Sequence, residues 1–317
     1  MIELSTSRRS ALRTLGLTGA GVVIGKALPA SALDAAPAPL ITKPIPSSGE
    51  EIPVIGLGTN QFSVDTPEEM ARLQQVLQTM ADMGGRVVDT ARAYGRAEEV
   101  IGELLQVMGN RPQYFISTKT AIRGELLPPA EEIQASFDRL QVDTIDLLLI
   151  HNLHGTHELM PAFLAARDEG RVRYIGMSTS VDDQYEAQME GMRKYPLDFI
   201  QVDYSIANRS AAEAILPLAK NRGMAVQVNV PFGGRRAAAT TTFGKVAGRE
   251  LPDWAAEINA TSWAQVFLKY VVSHPAVTCA IPGTTRVTHL VDNQGAGRGS
   301  LPDAALRQEM ERFWDNL

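Results

Sequence analysis

Asp146-Leu147-Leu148-Leu149-Ile150-His151 is a strand-like run whose middle, Leu147–Ile150, is solidly apolar and which ends in an imidazole. A strand with one wet face alternates polar and apolar residues, whereas a run without alternation suits a parallel strand covered on both faces. Helical patterns flank it, Pro129–Leu140 before and His157–Glu169 after, and the same unit recurs along the chain. The other strand-like runs are Ile52–Leu57, Arg86–Asp89, Tyr114–Thr118, Val172–Ser178, Phe199–Tyr204, Ala225–Val230 and Thr278–Ile281. Further helices are expected at Pro67–Met83, Ala97–Met108, Asp183–Lys194, Ala211–Asn221 and Ser262–Val272. Thr66-Pro67-Glu68-Glu69 offers a cap, a first-turn proline and acids facing the helix dipole, and Gly109, Gly170 and Gly223 sit where helices should stop.

Eight strand–helix units in about 250 residues is the arithmetic of a (β/α)8 TIM barrel. Leu40–Glu51 precedes the first expected barrel strand and holds the turn residues Pro46-Ser47-Ser48-Gly49, which reads as a hairpin plugging the barrel floor. A longer insertion, Gly233–Thr261, separates the seventh strand from its helix and is expected as a mobile loop over the active face. No interdomain linker is visible, so residues 33–317 form one barrel domain.

The chain has 317 residues, 44% hydrophobic and 21% charged, an ordinary globular mix. A net charge of −6 without a basic domain argues against a nucleic-acid partner. The single cysteine, Cys279, excludes a disulfide framework and a Cys-based structural zinc site. The first 32 residues differ from the rest, with four basic side chains and one acid. Arg8-Arg9 stands ahead of a weakly apolar stretch, Leu15–Gly25, and Ala30-Ser31-Ala32 supplies small residues for cleavage. The stretch is too short to span ~30 Å of hydrocarbon. It resembles a twin-arginine signal, which implies the twin-arginine export machinery as a partner, passage of a folded protein out of a bacterial cytoplasm to the periplasm, and no stable membrane anchor.

In a barrel, residues just past each strand's C-terminal end meet at one mouth. Those positions carry Asp89, then Tyr94 in the following loop, Lys119 and His151: an acid, a phenol, an amine and an imidazole from three consecutive strands. A lysine ending a buried strand needs a counter-charge, and Asp89 is the natural one. The lysine is expected to lower the Tyr94 pKa, so that Tyr94 protonates a carbonyl oxygen while His151 hydrogen-bonds the same atom.

The residues also carry a family resemblance. Val54-Ile55-Gly56-Leu57-Gly58-Thr59, Val88-Asp89-Thr90-Ala91-Arg92-Ala93-Tyr94-Gly95, Ser136-Phe137-Asp138-Arg139-Leu140 and Ile145–His151 resemble aldo-keto reductase motifs in order and spacing. Gly170-Arg171-Val172-Arg173-Tyr174-Ile175-Gly176-Met177-Ser178 and Gln201-Val202-Asp203-Tyr204 continue the match. The resemblance implies a (β/α)8 barrel that reduces an aldehyde or ketone with NADPH, NADH being possible, and a catalytic set of Asp89, Tyr94, Lys119 and His151. It implies that Ser178, Thr179 and Gln201 face the nicotinamide carboxamide, that Gly58 and Thr59 lie near its ribose, and that Phe232 lines the site. Thr284, Arg286, His289 and Asn293 fall in the segment that grips an adenosine 2′-phosphate. The chain departs from the family pattern at Asn152, Thr179, Asn229, Gly283 and His289.

Two other readings compete. His151, His154 and His157, with Glu158, have the composition of a metal-dependent barrel hydrolase, but all come from one short segment. A cofactor-holding sensor or partner module with little turnover would need the barrel and not all four proton-handling groups.

Overall fold

The structure, a computed structural model, describes residues 38–233 and 239–317, except for the side chains of 239–241. The signal-like segment 1–32 lies outside the described residues. The strands run β1 (Thr42–Pro44), β2 (Glu51–Pro53), β3 (Leu57–Gly58), β4 (Val87–Asp89), β5 (Phe115–Lys119), β6 (Ile145–Ile150), β7 (Val172–Ser178), β8 (Phe199–Asp203), β9 (Ala225–Asn229) and β10 (Cys279–Ala280). Between and after them lie α1 (Pro67–Asp82), α2 (Ala97–Met108), α3 (Pro129–Leu140), α4 (Thr156–Asp168), α5 (Tyr185–Lys194), α6 (Ile215–Asn221), α7 (Ala239–Lys245), α8 (Trp263–Val272), α9 (Val287–Gly295) and α10 (Ala304–Asp315).

Strands β3 to β10 form one eight-stranded parallel sheet in chain order. Parallel bridges Ile55↔Ala280 and Gly58↔Gly283 join its two ends, and Gly58 N donates to Pro282 O at 3.0 Å, so the sheet closes into a barrel. A Cβ on Gly58 would stand 2.8 Å from the Ile281 carbonyl oxygen, which is why only glycine allows the first and last strands to approach there.

Successive residues of a strand point to opposite faces, and the two faces here have different partners. Ile116, Leu148, Ile150, Ile175 and Ile200 pack outward among the helices. Phe115, Leu147, Leu149, Tyr174, Phe199 and Cys279 pack inward, where they meet Ile45 and Ile52 of the β1–β2 hairpin. The expected floor plug is therefore present. Lys43 pins it, donating to the carbonyls of Val272 at 2.7 Å, the last residue of α8, and of Val277 at 2.6 Å, beyond that helix. Burial, then the charge of Arg307, brings the Lys43 pKa down to about 8.

Helix ends follow the local signals. Thr66 caps α1, accepting from Glu69 N at 3.3 Å, Ser262 caps α8, and Gly109 ends α2 with φ 63°.

Two expectations need correction. The run Ile52–Leu57 is not a single barrel strand: Glu51–Pro53 closes the hairpin, and within the barrel Ile55 makes a single bridge to Ala280 before Leu57–Gly58 pairs with β4. Pro53 has no N–H, and the chain turns from one sheet to the other directly after it. The part of the insertion that the structure describes from residue 239 on does not lie free over the mouth. Val246, Trp254, Ala255 and Ile258 are buried, Phe243 meets Phe267 of α8 edge-on at 5.6 Å, and Trp254 meets Phe313 of α10 at 6.0 Å. Large aromatic side chains of α8 and α10 hold that part down.

Candidate active site

Asp89 ends β4 and Lys119 ends β5, on neighbouring strands whose register sets Asp89 opposite Ser117. The Lys119 ammonium is 1% exposed and the Asp89 carboxylate 2%, and they meet at 2.6 Å. Lys119 Nζ also donates to Thr90 O at 2.8 Å, so the buried cation has partners on two sides. Burial alone would lower the Lys119 pKa, but Asp89, then Tyr94, outweigh it and the net direction is up.

Tyr94 is carried by the loop between β4 and α2. The turn is fixed by Tyr94 N donating to Ala91 O at 3.0 Å and Arg92 N to Lys119 O at 3.1 Å. An ion pair between Arg92 and the buried Glu132 of α3 locks the same loop. Lys119 Nζ lies 5.2 Å from the Tyr94 ring centre, and the His151 ring stands edge-on to Tyr94 at 6.0 Å and 87°. The three groups thus face one small volume at the mouth.

Their protonation states follow from burial. Desolvation raises the Tyr94 pKa above the ordinary 10.0, Lys119 pulls it back, and Asp89 adds to the rise. The expected lowering by the lysine is thus present but outweighed, because burial takes the phenol out of water and penalises phenolate. Tyr94 is held as the protonated acid. Burial, then the Lys119 charge, lowers the His151 pKa to about 3, so that imidazole is neutral at ordinary pH. Its Nδ1 is buried with no hydrogen-bond partner in the structure.

The other predicted residues fall into three groups. Thr59, Ser178, Thr179 and Gln201 are buried at the strand ends. Thr59 Oγ1 donates to Asp89 O at 2.8 Å, and Thr179 Oγ1 to Gln184 Oε1 at 2.6 Å. Ser178 makes only long contacts, donating to Ile150 O and accepting from Asn152 N, each at 3.3 Å. Gln201 Nε2 donates to Asp89 Oδ1 at 2.9 Å and to Gln227 Oε1 at 2.7 Å. The second group surrounds the start of α9. Arg286 and His289 are exposed and make no ion pair among the described residues, Asn293 is buried one turn on, and Thr284 Oγ1 accepts from Arg286 N at 3.1 Å. Phe232 stands alone, half-buried, 5.1 Å from the Phe243 ring.

Sequence reasoning missed Ser117, whose Oγ donates to Asp89 Oδ1 at 3.0 Å, and Gln227, whose Oε1 accepts from Gln201 Nε2 at 2.7 Å inside the barrel. The available signal was a glutamine within the apolar run Ala225–Val228.

His154 and His157 do not join His151. His154 Nε2 meets Gly124 O at 3.0 Å, and His157 Nδ1 meets Tyr195 OH at 2.7 Å. Among the described residues no three His, Cys, Asp or Glu side chains come together as a metal site.

The sequence model of the Aldo/keto reductase family matches residues 54–308. The chain is 32% identical over 200 residues to the aldo-keto reductase YhdN of Bacillus subtilis, a match that covers 56% of this chain and 57% of YhdN's own length. It is 28% identical over 275 residues to the methylglyoxal reductase DkgB of Yersinia pestis, covering 82% of this chain and 94% of that protein. The crystal structure of an aldo-keto reductase from Klebsiella pneumoniae in complex with NADPH superposes with a TM-score of 0.67 at 24% identity, covering 84% of this chain and 92% of that one. The fold, the motifs in order and the family match agree: this chain belongs to the aldo/keto reductase family.

Proposed function

We propose that the protein reduces an aldehyde or ketone with NADPH, and that Tyr94 donates the proton. The observation that carries this reading is the convergence of a protonated phenol, a neutral imidazole and a buried ammonium–carboxylate pair on one volume at the strand ends. A bound reduced nicotinamide supplies the hydride. The chain's own groups handle the charge that develops on the carbonyl oxygen. Tyr94 gives its proton to that oxygen, and Lys119 stabilises the phenolate left behind, since an ammonium beside a phenolate favours the ionised form. Asp89 holds Lys119 in place, and neutral His151 orients the carbonyl by a hydrogen bond that does not compete for the proton.

The donor set fits the dinucleotide. Arg286, free of ion pairs among the described residues, stands with Thr284 and His289 where the first N–H groups of α9 open outward, a combination suited to a phosphate. Ser178 is held by long bonds that a carboxamide would displace with little loss. The methylglyoxal reductase among the relatives and the NADPH-bound structural neighbour support the same chemistry. The test is a titration of the purified chain with NADPH and with NADH, read by protein fluorescence, followed by addition of aldehydes and ketones with cofactor absorbance as readout. NADPH binding with carbonyl-dependent oxidation is expected. Failure to bind either nucleotide contradicts the proposal.

We also infer that residues 1–32 are a twin-arginine signal and that the barrel works outside the cytoplasm. The support is Arg8-Arg9, the weakly apolar Leu15–Gly25 and the small residues at 30–32. Fused to a reporter in a bacterium with this pathway, the segment should direct export. Replacing both arginines by lysine should stop it; export by either version in cells lacking the pathway contradicts the assignment.

A further inference from the structure

His151 follows the end of β6, and the two residues after it both have left-handed backbone, Asn152 at φ 47° and Leu153 at φ 60°. Residues other than glycine keep that conformation only where neighbours fix it. Here the turn is held from several sides. His154 N donates to His151 O at 3.0 Å, and Thr156 Oγ1 to Leu153 O at 2.8 Å. Asn152 N donates to Ser178 Oγ at 3.3 Å, and Asn152 O accepts from Gln184 Nε2 at 3.1 Å. The Gln184 amide has one workable orientation, since turning it over would set its oxygen against the Asn152 carbonyl. Its Oε1 therefore faces Thr179 Oγ1, which donates to it at 2.6 Å and itself accepts from Val181 N at 3.2 Å. Gln184 thus bridges the end of β7 to the turn after His151. The imidazole has no such anchor: its Nδ1 is buried without a hydrogen-bond partner, so the ring's place beside Tyr94 follows the backbone that carries it.

We propose that Gln184 is a positioning residue of the reducing centre: it holds the Asn152 carbonyl, and through it His151, when Ser178 turns its hydroxyl to the cofactor carboxamide. The inference rests on the proposed carbonyl reduction and leaves Ser178 and Gln201 with that carboxamide. In the free protein both backbone polar groups of Asn152 are engaged, the N–H by Ser178 and the carbonyl by Gln184. Once Ser178 serves the cofactor, the first contact is given up and the second still ties this residue to the barrel. Losing it as well frees a left-handed turn directly beside the imidazole that must meet the carbonyl oxygen.

The test uses the full chain with ring-labelled histidine and NADP+ as the probe. His151 is assigned among the five histidines as the imidazole NMR signal missing from His151→Gln. Gln184→Met keeps length and removes both hydrogen-bonding atoms of the amide. Without cofactor its His151 signal should lie close to that of the wild type, because Ser178 still holds Asn152. With NADP+ bound, the variant's signal should shift or broaden relative to the wild-type complex. The NADPH Kd from fluorescence quenching should stay within about twofold. Meanwhile kcat, with a carbonyl that the wild type reduces, should fall about three- to tenfold. The proposal is overturned if the two NADP+ complexes show the same His151 signal. It is also overturned if NADPH binding weakens about tenfold or more with kcat unchanged, since Gln184 would then serve the cofactor alone. Should Gln184→Met not fold, Gln184→Ala is read by the same signals to the same ends. A wild type that binds NADP+ yet reduces no carbonyl contradicts the proposed function instead, and the His151 signal still decides where Gln184 acts.

Discussion

Phe115 and Lys119 begin and end the same strand, and they divide the barrel into two regions. At the floor, Phe115, Tyr174 and Phe199 lie with ring centres 5.7 to 6.1 Å apart under the hairpin residues Ile45 and Ile52. At the mouth, Lys119 meets Asp89 in equally complete burial. The floor gains free energy by removing apolar surface from water, about 1.5–3 kcal/mol for each large side chain. The mouth gives some of that gain up, because desolvating a charge pair is at best weakly stabilising. The difference teaches that a closed, well-packed floor allows the opposite end to hold charged groups in fixed geometry.

Substitutions at the two ends should therefore separate activity from stability. Tyr94→Phe should lower turnover by roughly 10²–10⁴ while NADPH binding, followed by fluorescence, is retained; full turnover would remove Tyr94 from the role of proton donor. Phe115→Ala should cost about 3–5 kcal/mol of stability in urea unfolding and leave kcat per folded molecule near wild type. A large fall in kcat there would mean that floor and mouth are not separable. Arg286→Ala tests the exposed rim, where groups bind without being buried. It should weaken NADPH by roughly 10–100-fold and NADH little, and equal losses would place Arg286 away from the 2′-phosphate.

A buried carboxyl without a direct cation sharpens the contrast with Asp89. Glu98 of α2 accepts from Thr118 Oγ1 at 2.5 Å, and burial raises its pKa from 4.5 to about 7. Between those values the unfolded chain is ionised while the folded chain keeps its proton, so this group's contribution to stability falls as pH rises from 4.5 to about 7. Glu98→Gln should flatten that fall and stabilise the protein by on the order of 1–3 kcal/mol above neutral pH. Thermal unfolding across the range checks it, and unchanged curves would refute the assignment.

Much of this division was legible in the residues. Strand ends displayed Asp89, Lys119 and His151, and the apolar runs gave β6 and β7 nearly to their limits, because burial on both faces leaves a strong compositional mark. The first barrel strand was misplaced because β3 is only two residues long and Ile52 is apolar for the sake of the floor plug, not the sheet. The packing of the insertion was hidden because Phe243 meets Phe267, and Trp254 meets Phe313, only after folding. The Tyr94 pKa was expected to fall because a neighbouring lysine can be read from sequence, whereas desolvation depends on the closed wall around it. Gln227 carried no motif at all; the register that sets it beside Gln201 exists only in the folded sheet.

The central claim is that Tyr94, held as an acid, and not His151, gives the proton. The pH dependence of kcat/KM for carbonyl reduction tests it most directly. With the Tyr94 pKa raised above 10.0 and that of His151 lowered to about 3, the profile should be level between about pH 5 and 9 and fall only at the alkaline end. A loss of activity through about pH 6–7 that disappears in His151→Gln would contradict the account, because the proton would then come from an imidazolium.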